Sequence, residues 1–335
     1  MAQAEGTGNI SAATRRKTVA AAGLLALGLL CLVQVFVRPP MLLAERFVPG
    51  AGWIEAVLLA VYAALVCRAM LDPTRQPRWR RFTWLLFSVA FYSQLLLGLA
   101  GIEKCLMTGK LHLPVPAVIA AGPAWRGEEF FMLGLFLTTV LLVGPAWCSH
   151  LCYLGAWDDL AATRRRGAGP FPRWTRAGKT VFASAVIMTA FLMGVAGVPG
   201  RAAVLTGGVF GILGVAVMAW FSRRSGSMAH CLFWCPIGVL ATRLGRISPF
   251  RLVIDPSCTR CKACIRTCRY GALSEEDLER GRPAISCTLC GDCLASCRCV
   301  SIRYRFIALS GDHARALFIV LVSALHSVFL GLARI

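Results

Sequence analysis

Apolar positions gather into long blocks along this chain and do not alternate with polar ones. Six blocks have the length of ~20 residues that spans a bilayer. They predict transmembrane helices at 18–37, 52–71, 82–102, 129–147, 179–198 and 203–221. A seventh block, 316–333, is close to the lower limit of length. The pattern predicts a polytopic α-helical membrane protein with six or seven transmembrane helices.

Composition and charge favour the same class. The 335 residues are 57% hydrophobic and 16% charged, with a formal net charge of +20. Soluble domains carry about a quarter charged residues, which excludes an ordinary soluble enzyme. When the N-terminus is placed in the cytoplasm, 28 of the 36 Lys and Arg residues fall in cytoplasmic segments. This bias predicts the orientation in a bacterial inner membrane, and it favours contact with anionic lipid over nucleic acid.

The predicted domain order has five parts. From the N-terminus, they are a cytoplasmic tail, a six-helix membrane domain, a membrane-surface segment, a small α+β domain on the cytoplasmic side and the seventh helix: 1–17, 18–221, 222–250, 251–307 and 316–333. Within the α+β domain, the alternation of apolar residues predicts strands at 251–255 and 300–306. A polar connector is expected at 275–280.

Two cysteine runs in the α+β domain carry the strongest chemical signal. Both have the spacing C-x2-C-x2-C-x3-C, and the second repeats the first. In two-cluster ferredoxins, the fourth cysteine of each run ligates the other cluster. The predicted ligands of the first [4Fe–4S] cluster are Cys258, Cys261, Cys264 and Cys297, and those of the second are Cys287, Cys290, Cys293 and Cys268.

A pair of zinc sites is the alternative for these runs, because Zn²⁺ also takes four thiolates. Three closely spaced cysteines with a fourth, present twice, favour the clusters. The region resembles the bacterial two-cluster ferredoxin, although Arg269 and Arg298 stand in place of the usual proline after the fourth cysteine. Cys299 is predicted to be a buried structural thiol.

A second cysteine pattern occurs at the ends of the fourth and sixth predicted helices. Cys148 with Cys152, and Cys231 with Cys235, both fit C-x3-C-x-[LI]-G. If these segments are helical, the four-residue spacing puts both thiols of a pair on one face. The four thiols are candidates for a third iron–sulfur centre or a Cu(I) site. A thiol redox pair, or packing that anchors the ferredoxin domain, are the alternatives.

Weaker candidates are polar residues near the membrane. The candidates for a quinone site are Tyr92, Gln94, Glu103 and His112. Polar groups inside membranes are often functional, but hydrogen bonds between helices also explain Tyr92 and Gln94, and solvation explains the loop residues. His150 and His230 adjoin the C-x3-C motifs, where they either ligate or tune a metal or serve as packing residues.

With these motifs, residues 80–300 resemble the NapH/MauN-type membrane polyferredoxins, which share features with the C-terminal half of NosR. Those proteins combine several spans, two cytoplasmic C-x3-C-P motifs and a C-terminal two-cluster ferredoxin. Pro236 fits the second motif, whereas Tyr153 stands where the first would have proline. The resemblance implies electron transfer linked to quinol, which feeds a periplasmic reductase or supports maturation of a periplasmic enzyme.

The leading hypothesis is a membrane protein that passes electrons between the quinone pool and a redox partner protein or periplasmic enzyme complex. Its cofactors would be two [4Fe–4S] clusters, a third four-cysteine centre and a quinone. The chain lacks a haem-attachment motif, a dinucleotide fingerprint and a P-loop, which favours single electrons over hydrides. Whether it is a quinol-oxidising enzyme subunit stays open. The alternative is an assembly or maturation factor that reduces a metal or cysteine centre of a partner enzyme.

Overall fold

The computed structural model of this chain describes residues 11–106, 113–165, 167–169 and 175–332. Within them, seven helices are long and apolar enough to cross a membrane. These spans are Ala12–Phe36, Ala51–Met70, Gln76–Leu99, Phe131–Leu151, Gly178–Val195, Gly200–Ser225 and Asp312–Gly331. Each overlaps one of the seven predicted apolar blocks, so the prediction of a mostly helical chain with seven helices of spanning length is confirmed.

The described residues contain fifteen α-helices and one small sheet. The helices are α1 (Ala12–Phe36), α2 (Leu43–Phe47), α3 (Ala51–Met70), α4 (Gln76–Leu99), α5 (Val118–Arg126), α6 (Phe131–Val143), α7 (Gly155–Ala162), α8 (Thr175–Val195), α9 (Gly200–Val217), α10 (Arg223–Ser225), α11 (Pro236–Leu244), α12 (Ala263–Thr267), α13 (Glu275–Glu279), α14 (Asp292–Ser296) and α15 (Asp312–Gly331). The antiparallel strands β1 (Phe250–Ile254), β2 (Ile302–Phe306) and β3 (Leu309–Ser310) pair in that order.

The segment expected to be a polar connector contains the short helix α13. Its start is set by Ser274, whose hydroxyl accepts the backbone N–H of Asp277 at 3.2 Å. A serine at this position satisfies one of the N–H groups that the first turn leaves unpaired. The two longer strands lie within two residues of their predicted positions.

The chain divides into two compact units. The first comprises the described parts of Met1–Thr108, Phe250–Cys261 and Cys290–Ile335. The second comprises those of Gly109–Pro249 and Lys262–Leu289. The predicted ferredoxin-like segment 251–307 therefore contributes residues to both units.

Small residues let three helices approach closely in the first unit. Ala26 of α1, Ala63 of α3 and Ala324 of α15 are fully buried in one cluster. Lipid tails are as apolar as the helices, so the hydrophobic effect does not drive helices together in a membrane. Small side chains allow the close packing that does. A second cluster forms around Leu30 and Leu42.

The sheet of the first unit lies at the ends of three membrane helices. Tyr304 of β2 stacks on Phe318 of α15, with 4.8 Å between the ring centroids. The guanidinium of Arg315 donates to the carbonyl of Leu71 at 2.7 Å and to Oε1 of Gln76 at 2.9 Å. The end of α3 and the starts of α4 and α15 therefore lie together.

Helices α8 and α9 of the second unit expose most of their surface, as expected of helices that face lipid. In the most apolar 18-residue stretch of each span, 6% of the residues are buried for Gly178–Val195 and 11% for Gly200–Ser225. The sequence did not predict α5, which has nine residues and contains Pro123, and which is too short to span a bilayer. It packs closely against α8 at Gly194. Only glycine fits at this position, because a Cβ there would collide with the carbonyl of Trp125.

Candidate metal centre

The two C-x3-C motifs meet in the second unit. One small cavity is lined by the four motif cysteines Cys148, Cys152, Cys231 and Cys235. The first, second and fourth of these thiols are buried, and Cys231 is half-buried. The structure thus brings together two thiol pairs whose motifs begin 83 positions apart in sequence.

Both motifs fold with the same backbone, which is π-helical and not α-helical. Trp147–Leu151 and His230–Trp234 each form one π turn. The N–H of the second cysteine bonds to the carbonyl five residues earlier, at 3.0 Å for Cys152 and 2.9 Å for Cys235. Both cysteines then leave the turn extended, with ψ of 115°. The assumption of α-helical spacing therefore needs correction, and π turns of this kind are frequent at functional sites.

The helix after each motif directs backbone amides at the second thiol. Cys152 accepts from the N–H groups of Leu154 and Gly155, and Cys235 accepts from those of Ile237 and Gly238. Hydrogen bonds to sulfur of this type tune the potential of an iron–sulfur cluster. The sequence repeat is thus also a repeat of hydrogen bonding.

Burial raises the pKa of Cys152 to about 12, and it also raises the pKa of Cys231 and of Cys235. Thiols in this state are poor nucleophiles at neutral pH. Burial thus disfavours the thiolate form of these cysteines in the metal-free protein. A bound metal centre would instead deprotonate these thiols by coordination.

Lys179 of α8 places a positive charge among the thiols. Its Nζ donates to the carbonyl of Cys231 at 2.9 Å and lies close enough to interact electrostatically with Cys148 and Cys235. Gly238 makes room for it, because a Cβ there would stand 3.2 Å from Nζ and 3.0 Å from the Cys231 carbonyl oxygen. An ammonium group here would offset the negative charge of a thiolate-bound cluster. From the sequence alone, Lys179 is only a basic residue at the start of the fifth predicted span.

Asp158 and His230 complete the buried polar surroundings. The carboxylate of Asp158 accepts the hydroxyl of Ser222 at 2.5 Å and the N–H of Cys231 at 3.0 Å. Burial raises the pKa of Asp158 to about 6. His230 lines the cysteine cavity, with Nδ1 3.3 Å from the carbonyl of Gly214, and burial lowers its pKa to about 4. The imidazole is therefore neutral at pH 7.

Two hydrogen bonds join the first C-x3-C motif to the C-terminal runs inside the second unit. The hydroxyl of Tyr270 donates to the carbonyl of Cys148 at 3.4 Å. That of Ser149 donates to the carbonyl of Thr288 at 3.0 Å. Each contact is within two residues of a predicted ligand of the second cluster, Cys268 or Cys287. These two ligands are also electrostatic neighbours of each other.

The eight cysteines of the C-terminal runs are divided between the units. The first unit holds Cys258, Cys261, Cys290, Cys293 and Cys297, and the second holds Cys264, Cys268 and Cys287. Both runs repeat the same left-handed backbone positions, namely Arg260 with Leu289, Lys262 with Gly291, and Gly271 with Val300. Left-handed conformations at residues other than glycine cost energy and cluster at functional sites. The sequence duplication is therefore matched in the backbone.

Within the described residues, no three His, Cys, Asp or Glu side chains are grouped so that they could hold a single metal ion. Four thiolates around one zinc ion lie about 3.8 Å apart, given Zn–S bonds of about 2.3 Å. The thiolates of a cubane bind different irons and stand further apart. The choice between iron–sulfur clusters and zinc at the C-terminal runs stays a prediction.

In the first unit, a buried ion pair ties the second run to α4. Arg80 contacts both carboxylate oxygens of Asp292, with Nε at 3.1 Å and Nη2 at 2.8 Å. Gln76 also donates to the carbonyl of Cys290 at 3.3 Å. Asp292 directly precedes the predicted ligand Cys293. This ion pair could not be predicted from the sequence, in which Arg80 is only a basic residue before the third predicted span.

The expectation that Cys299 is a buried structural thiol is wrong. The residue is partly exposed, and its sulfur lies 3.3 Å from the hydroxyl of Ser301 and 3.8 Å from that of Thr259. These hydrogen bonds lower the pKa of Cys299 to about 6, with Ser301 the largest cause. The equivalent residue of the first run, Tyr270, is buried.

The quinone candidates named from the sequence lie apart from the four-cysteine site in the chain. Tyr92 and Gln94 belong to α4, where Gln94 is buried and its Oε1 has no hydrogen-bond partner in the described part of the protein. Glu103 is exposed in the short turn Glu103–Cys105. His112 lies outside the described residues. The quinone role of these residues stays a prediction.

A family model described as a 4Fe-4S binding domain (Fer4_5) matches residues 129–170. The matched region contains Cys148 and Cys152 and none of the C-terminal cysteine runs. No curated protein and no solved structure matches the chain. The protein is therefore an iron–sulfur protein with at least one [4Fe–4S] cluster, and its cysteines support a role in electron transfer.

Proposed function

We propose that this protein is a membrane electron carrier of the NapH/MauN type, which exchanges electrons between the quinone pool and a protein partner through three [4Fe–4S] clusters. One observation carries the proposal. Four buried or half-buried thiols from two repeated motifs converge on one cavity, and the first motif lies inside the matched 4Fe-4S region.

The third centre is held by Cys148, Cys152, Cys231 and Cys235, and the other two by the C-terminal runs. Bound there, a cluster supplies one-electron redox chemistry. The surrounding residues exclude water, donate amide hydrogens to the two C-terminal thiols of the motifs and place the Lys179 ammonium beside them.

Contacts inside the second unit support a short route between the four-cysteine centre and the second ferredoxin cluster. Tyr270 and Ser149 bridge the segments that carry Cys148, Cys268 and Cys287. Such hydrogen-bonded contacts fix the spacing between Cys148 and the segments that carry Cys268 and Cys287. We infer that this spacing is the main structural purpose of packing the first motif against the C-terminal runs.

The bias of Lys and Arg supports an inner-membrane protein whose N-terminus and C-terminal cysteine runs face the cytoplasm. A reducing compartment keeps thiols available for iron–sulfur clusters and disfavours disulfides. The partner protein would then meet the clusters at the cytoplasmic surface or through the membrane domain.

The number of clusters is tested by iron and sulfide analysis with EPR on anaerobically purified protein. Wild type should contain about twelve irons, and the double variant Cys148→Ser/Cys231→Ser about eight, because each [4Fe–4S] cluster has four. Cys105→Ser, which removes a buried cysteine outside all the motifs, is the matched control and should keep about twelve. About eight irons in all three proteins would refute the third centre.

A further inference from the structure

A large apolar cavity lies in the second unit between α5, α8 and α9. Its volume is about 320 Å³, and its walls include Val118, Trp125, Phe182, Val186 and Phe210. Cavities of this size are typical of sites for small molecules. Two of its three walls, α8 and α9, are candidate membrane spans that expose most of their surface, so a ligand can enter from the lipid.

Aromatic side chains connect this cavity to the second C-x3-C motif. Phe182 and Phe210 line the cavity, and their ring centroids lie 5.1 Å and 4.9 Å from that of Trp234. Trp234 directly precedes Cys235. The indole N–H of Trp234 donates to the Phe210 carbonyl at 3.2 Å, which fixes the layer. The ring of a bound ligand would contact Phe182 and Phe210, which in turn contact Trp234, the residue before Cys235.

The chemistry of the lining selects the ligand. Among the described residues that line the cavity, none is charged, and the polar side-chain atoms belong to Trp125, Thr189 and Thr206. A nucleotide, a flavin phosphate or a phospholipid headgroup would have to bury its charge without a partner, which is costly. A flat ring with carbonyl oxygens can stack on the aromatic side chains and accept hydrogen bonds from the indole and hydroxyl groups.

We propose that this cavity binds the ring of a membrane quinone, with its isoprenoid tail leaving between α8 and α9 into the lipid. The choice of a quinone over other apolar molecules rests on the proposed electron-transfer function of the adjacent cysteines. The site is distinct from the polar residues of α4 that the sequence suggested, and it belongs to the same unit as all four C-x3-C thiols.

Photolabelling of the full-length protein in phosphatidylcholine nanodiscs tests this site. An azido-ubiquinone analogue should label peptides of α8 or α9, and an excess of short-chain ubiquinone or menaquinone should prevent it. Val186→Trp fills the cavity and should reduce labelling about tenfold. Val181→Trp is the matched control on the same helix, since Val181 is 70% exposed, and it should label like wild type.

Ala203→Phe narrows the cavity from α9 and provides a second test should Val186→Trp not accumulate in the membrane. Labelling that survives both filled variants would overturn the proposal, as would labelling that extra phosphatidylcholine displaces and quinone does not. Iron content and the dithionite-reduced EPR signal are measured on the same samples. Intact clusters without labelling would remove the quinone site alone, whereas labelling without iron would remove the proposed function and keep the site.

Discussion

At the scale of single residues, the meeting of the four C-x3-C thiols depends on small and charged residues beside them. Gly238 lets the chain fold back so that Lys179 reaches the Cys231 carbonyl. Asp158 fixes the amide of the same cysteine. Each residue acts on the position of one thiol, and none of them is itself a ligand.

Gly238→Ala should destabilise the protein by about 1–3 kcal/mol, which is typical of overpacking in a tight site. The new methyl group would press on the Cys231 carbonyl and displace Lys179. Gly208→Ala is the control, because no atom of the described residues lies within 4 Å of a Cβ there, and such a change in a helix is neutral or stabilising by about 0.4–1 kcal/mol. Thermal unfolding of both variants in detergent measures the difference, and equal midpoints would contradict it.

The meeting of the four thiols could be anticipated from the repeated motif, since a duplicated C-x3-C pattern rarely arises from packing alone. The buried charges could not. Lys179 and Asp158 are ordinary polar residues in sequence, and their burial follows from the way α7, α8 and α11 pack. The π turns were also not predictable, because a one-residue change in hydrogen-bond register leaves no mark on hydrophobic periodicity.

At the scale of elements, the length of the apolar blocks predicted all seven candidate spans. It did not predict the side-chain contacts at the ends of these helices. The C-terminal segment of the first unit is tied to α4 by Arg80 and Asp292, and to α15 through the stacking of Tyr304 on Phe318. Periodicity cannot predict a pair that is more than 200 residues apart in sequence. The short helix α5 was not predicted either, because the search was for apolar stretches long enough to span a bilayer.

Arg80→Met should cost about 3–5 kcal/mol of stability, since it leaves the buried carboxylate of Asp292 without its main partner. Adding Asp292→Leu should recover much of the loss, because the uncompensated charge is then gone. Arg75→Met is the control. Its ion pair with Asp72 is at the surface, and such pairs are worth about 0–1 kcal/mol. Denaturant titration of wild type, Arg80→Met, Asp292→Leu and the double variant gives the cycle, and Arg75→Met is titrated beside them. A double variant as unstable as Arg80→Met would argue against this account.

At the scale of the whole molecule, each unit gathers helix ends that carry basic loops. In the second unit, the ends of α6 and α9 and the start of α8 meet at the thiols. In the first, the end of α3 and the starts of α4 and α15 meet at the sheet. The alternation of the seven spans predicts that all these ends face one compartment, and the charge bias predicts that it is the cytoplasm.

Reporter fusions test this orientation. Alkaline phosphatase needs disulfides and is active in the periplasm, so it should be active when fused after Gly127 or Pro199 and inactive after Thr74 or Ser310. Green fluorescent protein at the same four positions should give the reciprocal pattern. Pro199 and Ser310 provide the sharpest comparison, because the first closes the turn between α8 and α9 and the second precedes the last span. An active phosphatase after Ser310 would place the cysteine runs in an oxidising compartment, where eight closely spaced thiols would form disulfides and not iron–sulfur clusters.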